Sequence, residues 1–204
     1  WSSDVCSPDL WGLEADVPVI VSALKPARSL REMITSEGFI PLDDIVAVVS
    51  SVGATLHAMH RAAPAIVHGG VSPERVHFGD EGRVWLEECG YRHALIAAGL
   101  ALPAQVLASA PEGYVPPRDR GDRFDPATDT FQLAALAFEA LTGQPPFGAA
   151  PSGQEDDDRP TPSALRLGLS TELDELFLAA WRADRKSTRL NSSHSSVSRM
   201  PSSA

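Results

Sequence analysis

The chain has 204 residues, a net charge of −10 and 43% hydrophobic residues, which is enough for one domain with a sizeable core. Such an acidic balance argues against nucleic acid or an anionic membrane surface as a partner. Two cysteines, Cys6 and Cys89, are too few for a disulfide framework, and no uninterrupted apolar run reaches the roughly 18 residues of a membrane span.

In chain order, Val17–Val21 is a short apolar, β-branched run and reads as a strand. Leu24–Arg28 is a connector. Ser29 can cap a short helix through Ile34, with Glu32 at the reciprocal capping-box position. Pro41 ends that region. Leu42–Arg61 reads as a long helix, because Ile45, Val48, Val49, Val52, Leu56 and Met59 recur at spacings of three and four. Val67–Phe78 and Arg83–Glu87 are strand-like pieces around a Gly79–Gly82 turn. Ala97–Val106 is apolar without a clear period, and Pro116–Pro126 is a polar loop. Phe131–Leu141 is nearly all apolar, so it predicts a helix buried on most sides, with Gly143 as its stop. Ala149–Pro162, rich in Gly, Pro, Ser and Asp, reads as an exposed loop. Ser170–Trp181 is an amphipathic helix whose stripe is Leu173, Leu176, Phe177, Ala180 and Trp181.

The stretch Ile66-Val-His68-Gly69-Gly70-Val71-Ser72-Pro73-Glu74-Arg75-Val76 resembles the catalytic loop of a protein kinase, H-R-D-L-x-x-x-x-N. His68, the apolar flanks and the Pro-Glu pair are kept. Gly70 stands at the catalytic Asp, Ser72 at the phosphate-contacting Lys and Arg75 at the metal-binding Asn. Further pieces resemble the same family in the same order. Ser22, Ala23 and Leu24 match the nucleotide-contacting hinge, and Glu88-Cys89-Gly90 matches D-F-G. Ala110-Pro111-Glu112 matches A-P-E, and Asp129–Phe147 matches the buried central helix with its G-x-x-P-F exit. The resemblance covers residues 17–183. It implies a protein-kinase-like α+β fold of the bacterial serine/threonine type, with a mostly α-helical large lobe and a small lobe largely missing.

The ends resemble something else. Residues 1–10 and 184–204 are similar to translated sequencing-adapter DNA, so both are expected to be disordered and to add nothing to the core. The natural domain is then residues 11–183. It carries about one more negative charge than the whole chain's −10, because Asp4 and Asp9 are outweighed by Arg185, Lys186, Arg189 and Arg199 against Asp184. With Cys6 set aside, Cys89 stands alone, and its place at the Phe of D-F-G implies a buried apolar role. A lone cysteine fits a reducing, cytoplasmic setting.

Phosphoryl transfer needs a carboxylate to orient the hydroxyl and metal ions held by an Asp and an Asn. Gly70 cannot supply the first, and Arg75 puts a positive charge where a cation belongs. Glu88 is the candidate metal ligand, and its plainer reading is a solvated or ion-paired surface residue. The resemblance implies ATP and magnesium as cofactors only if small-lobe residues upstream supply a glycine-rich loop and lysine. It gives His68, Ala110, Pro111, Glu112 and Asp129 structural roles. Asp129 in particular is expected to anchor the loop backbone near His68 and Gly69. His57, His60, His77 and His93 show no metal spacing with Cys89 and read as surface residues. The expected function is a catalytically impaired kinase-like module acting by protein interaction or nucleotide sensing. Its partners are then proteins, not nucleic acid or membrane. The alternatives are a weakly active serine/threonine kinase using Glu88 for metal, or a fragment without autonomous function.

Overall fold

A computed structural model of the chain describes residues 10–14, 17–21, 28–79, 83–101, 106, 110–111, 113–116, 124–146 and 160–192. The first strands form an antiparallel hairpin, β1 (Leu10–Glu14) against β2 (Val17–Val21), with Leu10 opposite Val21 and Glu14 opposite Val17. β1 has no β-branched residue and was not expected as a strand. Its pairing with the β-branched β2 makes it one. A second sheet has the order β3 (Arg28–Ser29), β4 (Val76–Phe78), β5 (Val84–Leu86), antiparallel throughout. It joins the start of the helical region to the segment carrying Glu88.

Helix α1 (Leu30–Glu37) begins as its sequence dictates. The Ser29 hydroxyl accepts from the Glu32 amide at 3.1 Å, and the Glu32 carboxylate accepts from the Ser29 amide at 2.8 Å. Helix α2 (Leu42–His60) buries Ile45, Val48, Val52, Leu56 and Met59 against β5 and helix α4 (Pro126–Thr142). By length and apolarity α2 could cross a membrane, alone among the described residues, but this stripe is spent on the core. Helix α3 (Tyr91–Ala97) follows Glu88 at once. In α4 the Asp125 side chain accepts from the Ala127 and Thr128 amides, and Pro126 occupies the first turn. Gly143 closes it in the left-handed region (φ 76°), its amide on the Glu139 carbonyl at 2.7 Å.

The core centres on α4, where Phe131, Ala135, Leu136, Phe138, Ala140 and Leu141 are buried. Helix α5 (Pro162–Leu165) and helix α6 (Thr171–Ser192) cover its far side. The Phe138 ring lies 5.7 Å from Phe177 and 5.6 Å from Trp181, centroid to centroid.

Several sequence expectations need correction. Of Val67–Phe78 only Val76–Phe78 is strand, because the His68, Gly69 and Val71 amides bond to side chains of α4, and the Val67 and Gly70 amides to histidine rings, rather than to a neighbouring strand. The stripe of α6 is rotated from the expected one. Leu176 is 65% exposed, and Asp174 is buried beside Phe177 and Trp181. The Asp174 carboxylate accepts from the Ser163 amide at 3.0 Å and its hydroxyl at 2.5 Å, so a polar residue takes a core-facing position as a tie to α5. Pro162 is buried at the head of α5 instead of lying in an exposed loop. Disorder was expected at both ends, yet Leu10 sits in β1 and α6 continues to Ser192. Once a helix is nucleated, each added residue costs little, so a polar tail can propagate it.

Replacing Phe138 with Ala removes the ring that packs on both Phe177 and Trp181. The expected loss is about 3–5 kcal/mol of unfolding free energy in urea titration. A loss below about 1 kcal/mol would show that α6 is not packed on α4 in this way.

Candidate functional site

The loop from Ile66 to Arg75 crosses the end of α4 and is held by side chains. The Asp129 carboxylate is fully buried and accepts from the His68 amide at 2.9 Å and the Gly69 amide at 2.7 Å, with His60 Nε2 at 2.7 Å as a third partner. Gln132, one turn later and also fully buried, accepts from the Val71 amide at 2.9 Å and donates to the Tyr114 carbonyl at 3.3 Å. A buried carboxylate or amide must find such partners. Gly69 has φ 67°, a region that favours glycine, and a Cβ there would run into the Phe124 ring.

His68 is fully buried with both ring nitrogens engaged. Nε2 donates to the Glu87 carbonyl at 2.8 Å, and Nδ1 accepts from the Gly70 amide at 3.1 Å. Burial pushes its pKa below the ordinary histidine value, so the ring is neutral. It joins the loop to the end of β5 and has no lone pair left for proton transfer.

Three side chains meet where the motif places its chemistry. Glu88 Oε2 accepts from Arg75 Nε at 2.8 Å and from Arg92 Nη1 at 2.5 Å. Burial alone would raise the Glu88 pKa. The Arg75 hydrogen bond and both positive charges outweigh it and hold the carboxyl below its ordinary range. Arg75 also donates to the buried Ser72 hydroxyl at 3.1 Å. Gly70 has no side chain, and the space that its Cβ would enter is filled by the Arg92 guanidinium. The plainer reading of Glu88, an ion-paired residue, is the arrangement observed.

A second network lies on the other side of the loop. Arg31 donates to Glu139 Oε1 at 2.5 Å and to Glu74 at 2.7 Å, and the buried Tyr114 hydroxyl donates to Glu139 Oε2 at 2.7 Å. It ties α1, the loop and α4 together. Burial, and then Glu139, raise the Tyr114 pKa well above its usual value, so the phenol stays a donor.

The sequence-derived residues divide accordingly. His68, Gly70, Ser72, Arg75, Glu88 and Asp129 are brought into one site. Ala110 packs on the core and Pro111 accepts from the Tyr114 amide at 3.0 Å. Ser22, Ala23, Leu24 and Glu112 lie outside the described residues. Two histidines read as surface residues take part instead. His60 contacts Asp129, and His93 Nδ1 accepts from the Val67 amide at 3.4 Å. Cys89 is half-buried against the core but disulfide-bonded, not the lone thiol expected. Gln132 and Arg92 were missed. Gln132 follows Asp129 by three, on the same helix face, and that spacing could have revealed it. Arg92 follows Glu88 by four, which signals a contact only once α3 is known to be helical.

The motif's metal ions do not fit these residues. Among the described residues no group of three His, Cys, Asp or Glu could hold one, and the single carboxylate is neutralised twice. A divalent ion roughly 5 Å from a cluster of net charge +1 meets about 7 kcal/mol of repulsion at an effective dielectric of about 20.

Sequence and structure comparisons place this geometry. No protein-family model matches the chain. It is 32% identical over 175 residues to the serine/threonine-protein kinase PknL of Mycobacterium tuberculosis, covering 83% of this chain and 43% of that protein. It is 27% identical over 170 residues to PknB of the same species, covering 80% of this chain and 27% of PknB. The chain thus spans less than half the length of these curated relatives. The crystal structure of the M. tuberculosis PknI kinase domain, solved as a point mutant, matches 90% of this chain and 66% of its own, with TM-score 0.67 and 21% identity. Fold and loop therefore define a protein-kinase-like domain with a largely helical large lobe and a reduced small lobe. The chain belongs to the protein kinase family, and its relatives are bacterial serine/threonine kinases.

Asp129→Ala strands two buried amides and removes a charged acceptor. The expected cost is on the order of 1.5–3 kcal/mol by urea unfolding. Asp129→Asn keeps one acceptor oxygen and should fall between. A cost below about 0.5 kcal/mol for Asp129→Ala would mean that the carboxylate does not hold the loop.

Proposed function

We propose that this chain is a catalytically impaired, kinase-like module of a bacterial signalling protein, acting through protein interaction or nucleotide sensing. The observation that carries the reading is the Arg75–Glu88–Arg92 cluster. The Glu88 carboxylate is neutralised by two guanidinium groups, and position 70 offers no acidic group. The structural contacts of the loop are retained around it, so the loss falls on chemistry rather than on folding. Transfer of phosphate needs an oriented hydroxyl and balanced phosphate charge. Neither His68, with both nitrogens bonded, nor the buried Ser72 hydroxyl can stand in for the carboxylate.

The opposing reading is a weakly active kinase in which Glu88 leaves its arginines to hold a metal ion. Assay of phosphate transfer from radiolabelled ATP, with magnesium or manganese and generic acceptor proteins, separates the two. The expected result is no transfer above a no-enzyme control. Transfer that disappears on Glu88→Ala would overturn the impaired reading and establish Glu88 as a functional carboxylate.

A further inference from the structure

Helix α3 is anchored in an unusual way. Its one fully buried residue is Arg92, 6% exposed, whereas Leu95 and Ile96 are only half-buried. A short helix is normally held by an apolar face, because isolated helices of this length do not persist in water. Here the deepest contact is a guanidinium that cannot shed its charge and so depends on its carboxylate partner. That partner, Glu88, lies four residues earlier and is itself held at φ 59°, a backbone region uncommon for a residue with a side chain. The guanidinium also needs room. Its Nε, Cζ and Nη1 fill the space above Gly70, and any side chain at position 70 would collide with them.

We propose that α3 is a latch that closes the reactive position of the loop from within. Gly70 is the socket for Arg92, and Glu88, steadied by Arg75, is the catch. The segment after Glu88 is then held shut by one ion-paired side chain and opens when that contact is lost. A carboxylate restored at position 70 would meet Arg92 rather than a substrate. This goes beyond the functional reading above. It concerns the mobility of α3 and holds whether the domain is silent or weakly active.

Hydrogen exchange read by mass spectrometry on the full chain tests it, with the α4 amides as internal reference. In Arg92→Ala, the amides of Tyr91–Ala97 should exchange about tenfold faster while those of α4 stay unchanged. Glu88→Gln should loosen the same segment. Gly70→Ala should also loosen it, by evicting Arg92. In the Arg92→Ala background, where the socket is empty, adding Gly70→Ala should change nothing further. The Gly70→Ala, Arg92→Ala double variant therefore keeps the test valid if Gly70→Ala alone does not fold. Wild-type protection of α3 in Arg92→Ala, additive effects of the two substitutions, or a double variant that does not fold would each overturn the latch.

Discussion

A single buried carboxylate organises the loop on which everything else rests. Asp129 leaves water entirely, which is costly for a charged group unless donors replace the solvent. Here they are the His68 and Gly69 amides and the His60 ring. The exchange works in both directions. The loop has few strand-type partners of its own, and its amides would be stranded without α4. Glycine at two consecutive positions makes the backbone entropically loose, so its shape comes from the anchor rather than from propensity. Gln132 extends the anchor by one helical turn to Val71 and on to Tyr114.

From that anchor the site divides into a retained frame and an altered centre. The frame consists of the His68 bridge to Glu87, the Asp129 and Gln132 contacts, and the Arg31–Glu139–Tyr114 network that fastens α1 to α4. Each is a buried polar group with its partners supplied, the condition under which such networks give rigidity rather than strain. The centre carries fixed charges at the motif positions, Arg75 and Glu88, with Arg92 beside them. Two arginines share one glutamate oxygen and form an ion cluster of net charge +1.

The exchange is coupled through space. Arg92 fits only because position 70 has no side chain, and Glu88 can serve it only because the backbone there turns into the left-handed region and α3 begins at once. Arg75 adds a second positive charge to the same oxygen. Reversing one of these changes leaves the others opposed to it. Gly70, Arg75, Glu88 and Arg92 are thus joined by direct contact.

Much of this was legible in the sequence, for local reasons. The capping box at Ser29 and Glu32, the stripe of α2, and the apolar α4 with Gly143 at its end are dictated by neighbours three or four residues away. The Asp129 anchor was legible because a motif carries it. Tertiary structure decided what local pattern cannot express. Leu10–Glu14 became a strand by pairing, Asp174 turned inward because Ser163 offered two donors, and Leu176 was left exposed. The filling of the Gly70 space by Arg92 was decided there as well. No spacing rule shows that a residue twenty-two positions downstream occupies the volume of a missing side chain. Volume and charge compensation are properties of the packed chain, and they exist only once α3 and the loop are brought together.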